Sequence, residues 1–334
     1  MWHHSGFLEK MNKLHPIAKH VEKEMEAFNR LFTESLHGHN KDFQSMIDFI
    51  SGKNGKRIRP LILMLSAKLC GEPNEKSVDY AVILELLHTA TLIHDDVVDN
   101  TMERRGQLSV NAKYDNRVAV LLGDYILAMA IAKAIMSQNF AVLDIISRLA
   151  QNLAEGELAQ LIASKRVQYD EKHYFDVIWK KTAFLLSSCS EMGAISVNTT
   201  PEKREKLRLI GENLGMCFQI RDDIFDYFAQ GDIGKPTGND IREGKITLPL
   251  IYALNNAPKS ESDKMLSIIQ NRDFTSETIR QLTDFAKENK GIDYAKSKMQ
   301  EINKNTIELL NDFPDSEAKT SLIQLSNYII EREK

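Results

Sequence analysis

Apolar residues recur at helical spacing through almost the whole chain, and no stretch alternates convincingly with a period of two. The segment VDYAVILELLHTATLIHDD, residues 78–96, is densely apolar and too long for a strand. The breakers Gly71 and Pro73 precede it. Pro60 suits a first helical turn, so LILMLSAKL reads as a helix that Gly71 can end. Thr200-Pro201-Glu202 opens another, running through KLRLIGENLGMCFQIRDDIFDYF. The most membrane-like window, VAVLLGDYILAMAIAKAIM at 118–136, contains Asp124 and Lys133 and falls short of an uninterrupted span. It reads as a buried helix. Over 260–334 the pattern gives three or four amphipathic helices, and no linker or low-complexity tract divides the chain. The expectation is an all-α, single-domain helical bundle with a central cavity. In it, 78–94 and 118–136 are covered on most sides, by a ring of other helices or by a dimer partner.

Composition narrows the classes. A chain of 334 residues can bury a large core, and 43% hydrophobic with 27% charged residues is ordinary for a globular protein. A formal charge of −4 gives no nucleic-acid footprint. Three cysteines, Cys70, Cys189 and Cys217, are widely separated and odd in number. They argue against a disulfide scaffold or a zinc site and fit a reducing cytosol, hence a cytoplasmic location. The start, MWHHSGFLEK, has no apolar signal core, and Met11 offers a second start. The folded domain is therefore expected over 11–334, with 1–10 an extension of unclear role.

Candidate chemistry enters with LIHDDVVDN, 92–100, where Asp95, Asp96 and Asp99 close an apolar helix. Like charges three and four apart repel on a shared face. The cluster is either a solvated helix end or is offset by something cationic. FQIRDDIFDYF, 218–228, repeats the spacing with Asp222, Asp223 and Asp226. Residues i and i+4 lie one turn apart, about 6 Å, so the outer aspartates of each cluster can point the same way. Two such faces across a cavity would offer hard oxygen ligands for Mg²⁺, which binds through a few carboxylates plus substrate phosphates. Basic residues follow each cluster: Arg104 and Arg105 after the first, and Lys235, Arg242 and Lys245 after the second. Carboxylates that hold Mg²⁺ beside cations that hold phosphate oxygens make a coherent diphosphate site. A third basic piece, GKNGKRIRP at 52–60, lacks the P-loop form. Alone it reads equally as a solvated turn; beside the clusters it could hold a second anionic substrate without metal.

These blocks resemble the trans-isoprenyl (polyprenyl) diphosphate synthase family, medium- and long-chain type, from GKRIRP to GKITLP. DDVVDNTMERRG, 95–106, matches its first aspartate-rich motif without a gap, and FQIRDDIFD with GKPTGNDIREGKITLP matches the second. The resemblance implies an enzyme that condenses isopentenyl diphosphate with an allylic diphosphate. It implies three Mg²⁺ ions when substrate is bound, two on Asp95 and Asp99 and one on Asp222, with Asp96, Asp223 and Asp226 supporting. Arg104, Lys181, Thr182, Gln219 and Lys235 match residues that grip the allylic diphosphate, and Lys245 a lysine near the closing lid. Lys56, Arg59, His88 and Arg105 match those that hold isopentenyl diphosphate. The product tail should run back from Asp95 past Thr91 and Ala90 toward Leu87, Leu86 and Ile83. Ala90 and Thr91 are small where short-chain members often carry an aromatic. That implies an open tunnel mouth and an all-trans product of roughly seven to ten units, used for quinone side chains. A farnesyl or geranylgeranyl diphosphate synthase, and a non-catalytic regulatory subunit, are the alternatives. The family also implies a homodimer, with no transmembrane segment and at most transient membrane contact as product leaves.

Overall fold

Long apolar runs broken at Gly, Pro and capping residues give helices almost throughout. The computed structural model describes residues 14–38, 40–51, 57–104, 106–166, 169–228 and 238–332. Lys56, Arg105 and Lys235, Gly55, and the extension with Met11 lie outside the described residues. In chain order the main helices are α1 (Glu22–Ser35), α2 (Lys41–Ser51), α3 (Ile58–Cys70), α4 (Glu75–Val98) and α5 (Asn116–Met136). Then come α6 (Phe140–Arg166), α7 (Glu171–Ile178), α8 (Phe184–Ser196) and α9 (Pro201–Phe225). The last are α10 (Leu248–Asn256), α11 (Lys259–Gln270), α12 (Ser276–Glu288), α13 (Gly291–Asn311) and α14 (Glu317–Glu331). The all-α reading holds, and the tail resolves into four helices, α11 to α14. One exception to helix is a two-stranded hairpin, Glu103–Arg104 with Gln107–Leu108, turned at Gly106 with φ +76°. A two-residue turn that uses a left-handed glycine favours such a hairpin, and ERRGQL is too short to show alternation in sequence.

The chain forms two compact units. The first comprises the described residues up to Ala150, with Ser188–Gly211 and Phe313–Leu325. Its centre is α4, which packs against α5, α1 and α3. The start of α4 is fixed by a capping box: Asn74 accepts from the Lys76 N–H at 2.9 Å, and Ser77 Oγ accepts from the Asn74 N–H at 3.1 Å. Ile83, Leu84, Leu86, Leu87 and Ala90 are buried. Full burial of each large aliphatic side chain is worth about 1.5–3 kcal/mol.

Helix α5 is not ringed by helices of its own chain. It is not buried on most sides: only 33% of its most apolar window is inside this chain. Small residues, Ala119, Gly123, Ala130 and Ala134, face inward with Leu122 and Ile126. Val120, Leu121, Ile131, Ile135 and Met136 stand exposed. By length and composition α5 could cross a membrane; its inward face packs on α4 instead.

The second unit comprises Gln151–Ser187, Glu212–Asp312 and the residues from Ser326 onward. Here α10 is central, packed against α13, α12, α11 and α7. Between α7 and α8 the segment Trp179–Ala183 winds as a π-turn, the kind of insertion that often marks functional positions.

Candidate active site

Both aspartate clusters sit at the C-terminal ends of long helices, α4 and α9. The helix dipole places about half a negative charge there, so carboxylates at these positions are disfavoured unless cations offset them. In the first unit, Asp96 is buried and its Oδ1 accepts from Arg104 Nε at 2.6 Å. The hairpin returns Arg104 to the helix end: the Thr101 N–H bonds the Asp96 carbonyl at 2.8 Å, and Ser109 Oγ donates to the Thr101 carbonyl at 2.6 Å. Asp95 is half-buried and Asp99, the C-cap of α4, is exposed. Asp96 thus holds the protein cation, and Asp95 and Asp99 lie on the more open side.

A cavity of about 70 Å³ lies beside this cluster. Its polar walls are Arg57, Glu85, His88, Thr89, Asp96 and Arg104. His88 is buried. Arg57 adopts a left-handed backbone, φ +50°, just before α3, at a cost of about 1–3 kcal/mol. An ion pair and two aromatic rings, Phe28 at 5.6 Å among them, hold it there. Its Nη1 donates to Glu85 Oε1 at 2.7 Å, and its guanidinium lies 4.6 Å from the Phe32 ring centre. Arg59 approaches Cys189 from the same unit: burial pushes the Cys189 thiol up to about 12, with the Arg59 cation opposing. Of the GKRIRP block, Arg57 rather than Arg59 is among the residues lining this cavity.

In the second unit a cavity of about 160 Å³ is lined by Lys181, Gln219, Asp223, Asp240 and Lys245 among others. A hydrogen-bonded chain runs along its wall. Tyr174 donates to Asp223 Oδ2 at 2.6 Å, Gln219 Nε2 donates to Asp223 Oδ1 at 2.8 Å, and Thr182 donates to Gln219 Oε1 at 2.7 Å. Burial pushes the Asp223 carboxyl up to about 6 despite those two donors. Asp240, buried near Asp223 and Asp226, is raised well above the usual carboxylate range, burial being the first cause. Lys181 donates to Gln160 Oε1 at 2.9 Å and pairs with Glu157 at 2.5 Å, while Lys245 pairs with Glu243 at 2.6 Å.

The second cluster splits three ways. Asp223 anchors the chain just described. Asp226 accepts from the Asn239 and Asp240 N–H groups, both at 3.0 Å, and so closes the turn before Ile241. Asp222 Oδ1 accepts from Arg332 Nη2 at 2.5 Å. Among the described residues no three His, Cys, Asp or Glu side chains converge into a ready metal cage. Asp95, Asp99 and Asp222 nonetheless offer hard carboxylate oxygens, the donors Mg²⁺ takes singly or in pairs alongside substrate phosphates. The donor set fits a metal that arrives with a diphosphate.

The wall expected to line the product tail beside Ala90 is tightly packed within this chain. Ile83, Leu86, Leu87 and Ala90 are 0% exposed, so no water-sized space borders them. The inward Ala and Gly residues of α5 allow a close approach to α4. Thr91 alone of the five stays half-buried, its Oγ1 donating to the His88 carbonyl at 2.9 Å. Sequence reasoning missed Glu85, Tyr174, Asp240 and Arg332 as members of these clusters. A glutamate ten residues before Asp95 on an apolar helix was a usable signal for the first. Nothing in the spacing of YIIEREK pointed to Arg332.

A polyprenyl synthetase family model matches residues 40–285. Octaprenyl diphosphate synthase of Escherichia coli (strain K12) is 31% identical over 328 residues, covering 98% of this chain and 99% of that protein. A polyprenyl synthase from Caulobacter crescentus CB15, solved with calcium and isoprenyl diphosphate, superposes with a TM-score of 0.89 at 31% identity, covering 96% and 98% of the two chains. A geranylgeranyl pyrophosphate synthase structure from Bacteroides thetaiotaomicron is 39% identical with a TM-score of 0.83, over 96% of this chain and all of that one (100%). Two helix-end aspartate clusters, each beside a cavity with cationic walls, on an all-α fold define an isoprenoid synthase. The chain belongs to the trans-isoprenyl diphosphate synthase (polyprenyl synthase) family. It is a prenyltransferase acting on isopentenyl and allylic diphosphates.

Proposed function

We propose that this enzyme is Mg²⁺-dependent and makes an all-trans polyprenyl diphosphate of about seven to ten units, from isopentenyl diphosphate and a farnesyl or geranylgeranyl primer. Quinone side chains are the natural use of such a product. The observation that carries this reading is the paired aspartate clusters at helix C-termini, positions that favour bound cations. Asp95 and Asp99 would hold two ions and Asp222 a third. Bound there, Mg²⁺ would neutralise charge building on the departing diphosphate.

The remaining work falls to the chain itself. Arg104, Lys181 and Lys235 supply preorganised positive charge where negative charge develops on the allylic diphosphate. Thr182 and Gln219, fixed by the Tyr174–Asp223 pair, orient that diphosphate with Lys245. To do so, Lys181 exchanges Glu157 and Gln160 for phosphate oxygens. Lys56, Arg59, His88 and Arg105 hold isopentenyl diphosphate in line with the reacting carbon. The allylic C–O bond breaks, a C–C bond forms to the isopentenyl double bond, and one proton leaves. The released diphosphate takes that proton, and apolar walls keep water from the cation. The exposed apolar stripe of α5 supports a homodimer.

A shorter product, of geranylgeranyl length, is the second reading. It is favoured by the absence of exposure at Ile83, Leu86, Leu87 and Ala90. Incubation with labelled isopentenyl diphosphate, farnesyl diphosphate and Mg²⁺, with chain length read by chromatography, decides between them. Products of thirty-five carbons or more support the first reading. Arrest at twenty carbons supports the second, and no product at all sinks both.

A further inference from the structure

We propose that Arg332 is a further residue of the reaction's metal chemistry: a built-in cation that holds the Asp222 carboxylate until Mg²⁺ displaces it. This rests on the reading of Asp222 as a metal ligand. Arg332 follows the last turn of α14 and continues it, its N–H bonding the Tyr328 carbonyl at 2.9 Å. Its side chain is 6% exposed, and Nη2 reaches both Asp222 Oδ1 at 2.5 Å and the Phe218 carbonyl at 3.1 Å. The guanidinium lies 4.0 Å from the Phe218 ring centre and 5.6 Å from that of Phe225. Arg221 fixes the backbone from the other side, donating from Nε and Nη2 to the Arg332 carbonyl at 2.9 and 2.6 Å.

Every one of these contacts joins two turns of α9, Phe218 to Phe225, to the residue that follows α14. A surface ion pair would not need this. A guanidinium stacked on two rings, hydrogen-bonded to a carbonyl and clamped at its own backbone is a built site for one carboxylate. The site is also incomplete, because Arg332 Nε is buried without a hydrogen-bond partner. An unmet buried donor weakens the closed arrangement. The contact lies beside the end of a helix, where opening costs least. A divalent ion that arrives with a diphosphate competes for the same oxygen. Coupling of this kind is reciprocal: the bound tail lowers metal affinity at Asp222, and bound metal frees the tail.

The test is Mn²⁺ binding in the presence of inorganic diphosphate, read from the electron paramagnetic resonance of free Mn²⁺. Asp222→Asn identifies the relevant ion by the binding it removes. Loss of no Mn²⁺ in that variant overturns the metal reading of Asp222 itself. Given that loss, Arg332→Gln should tighten the same ion by about tenfold, the equivalent of one charge-assisted hydrogen bond. The tightening should be absent when Arg332→Gln is combined with Asp222→Asn. Unchanged or weaker binding in Arg332→Gln overturns the displacement and makes Arg332 an orienting partner that stays in place. A second measurement needs no variant. Backbone amides of 326–332 should exchange faster with solvent when Mg²⁺ and inorganic diphosphate are added to the wild-type chain, and unchanged or increased protection contradicts the proposal.

Discussion

At the scale of single residues, the three aspartates of each cluster do different jobs although their spacing is identical. Asp96 is buried on Arg104 and Asp223 on Tyr174 and Gln219, while half-buried Asp226 accepts from two backbone N–H groups. Those three are held by the protein throughout; under the proposed function Asp95, Asp99 and, once Arg332 is displaced, Asp222 would take the metal. Asp95→Ala and Asp222→Ala should each lower kcat by orders of magnitude while circular dichroism stays helical, because neither side chain carries the core. Turnover near wild type in either variant would remove the metal from the mechanism. The basic residues proposed for each substrate can be told apart by kinetics. Arg59→Ala should raise KM for isopentenyl diphosphate far more than for the allylic primer, and Lys235→Ala should do the reverse. Steady-state kinetics with each substrate varied in turn reads this directly; the same bias in both variants would mean one block is misassigned.

At the scale of elements, close approach of helices sets what the side chains can reach. Gly215 on α9 faces Ala183 so closely that an added Cβ would lie 2.4 Å from the Ala183 Cα. That approach brings Gln219, one turn further along α9, onto Thr182 of the π-turn. Gly215→Ala should force the two segments apart at a cost of about 1–3 kcal/mol. It should also raise KM for the allylic substrate more than for isopentenyl diphosphate, and a variant with wild-type kinetics and melting temperature would refute the coupling. Across α4 and α5, Ala90→Phe places a ring in fully packed space. The melting temperature should fall; shortening toward fifteen or twenty carbons in a folded variant would place the product tail beside Ala90, and loss of fold without shortening would place Ala90 in solid core. Thr91→Phe, at a half-buried position, should shorten product with less loss of stability. Chromatography of dephosphorylated products beside a thermal melt checks both, and unchanged length in two folded, active variants would send the tail along another face. Helix periodicity made α3, α4, α9 and the tail helices legible, since breakers and caps stand at their ends. It could not show the ERRGQL hairpin, whose cause is one left-handed glycine. Nor could it show that α5 has two apolar faces of different kinds, one packed and one bare.

At the scale of the whole molecule, the motif blocks told what reaction to expect, while the partners of each charged group depended on folding. Arg57 and Glu85 stand 28 positions apart and Arg332 and Asp222 stand 110 apart, distances over which no local spacing rule operates. The bare face of α5 is a feature that one chain does not cover. Val120, Leu121, Ile131, Ile135 and Met136 recur at helical spacing and are exposed by 41 to 79%. The sequence between 118 and 136 contributes a single carboxylate, Asp124, and its Oδ1 lies 3.3 Å from His94 Nε2. An apolar stripe along five turns is unfavourable in water, and a helix face that meets its own copy across a two-fold axis is self-complementary. Sedimentation equilibrium at micromolar concentration should therefore give twice the 38.0 kDa chain mass. Ile131→Glu combined with Ile135→Glu places like charges on both copies in a face that excludes water, and should return the mass to that of one chain with helix content intact. Both positions are exposed within the single chain, so the substitutions leave its core untouched. A wild-type monomer with full activity, or a doubly substituted chain that still sediments as a dimer, would mean that something other than a second copy covers α5.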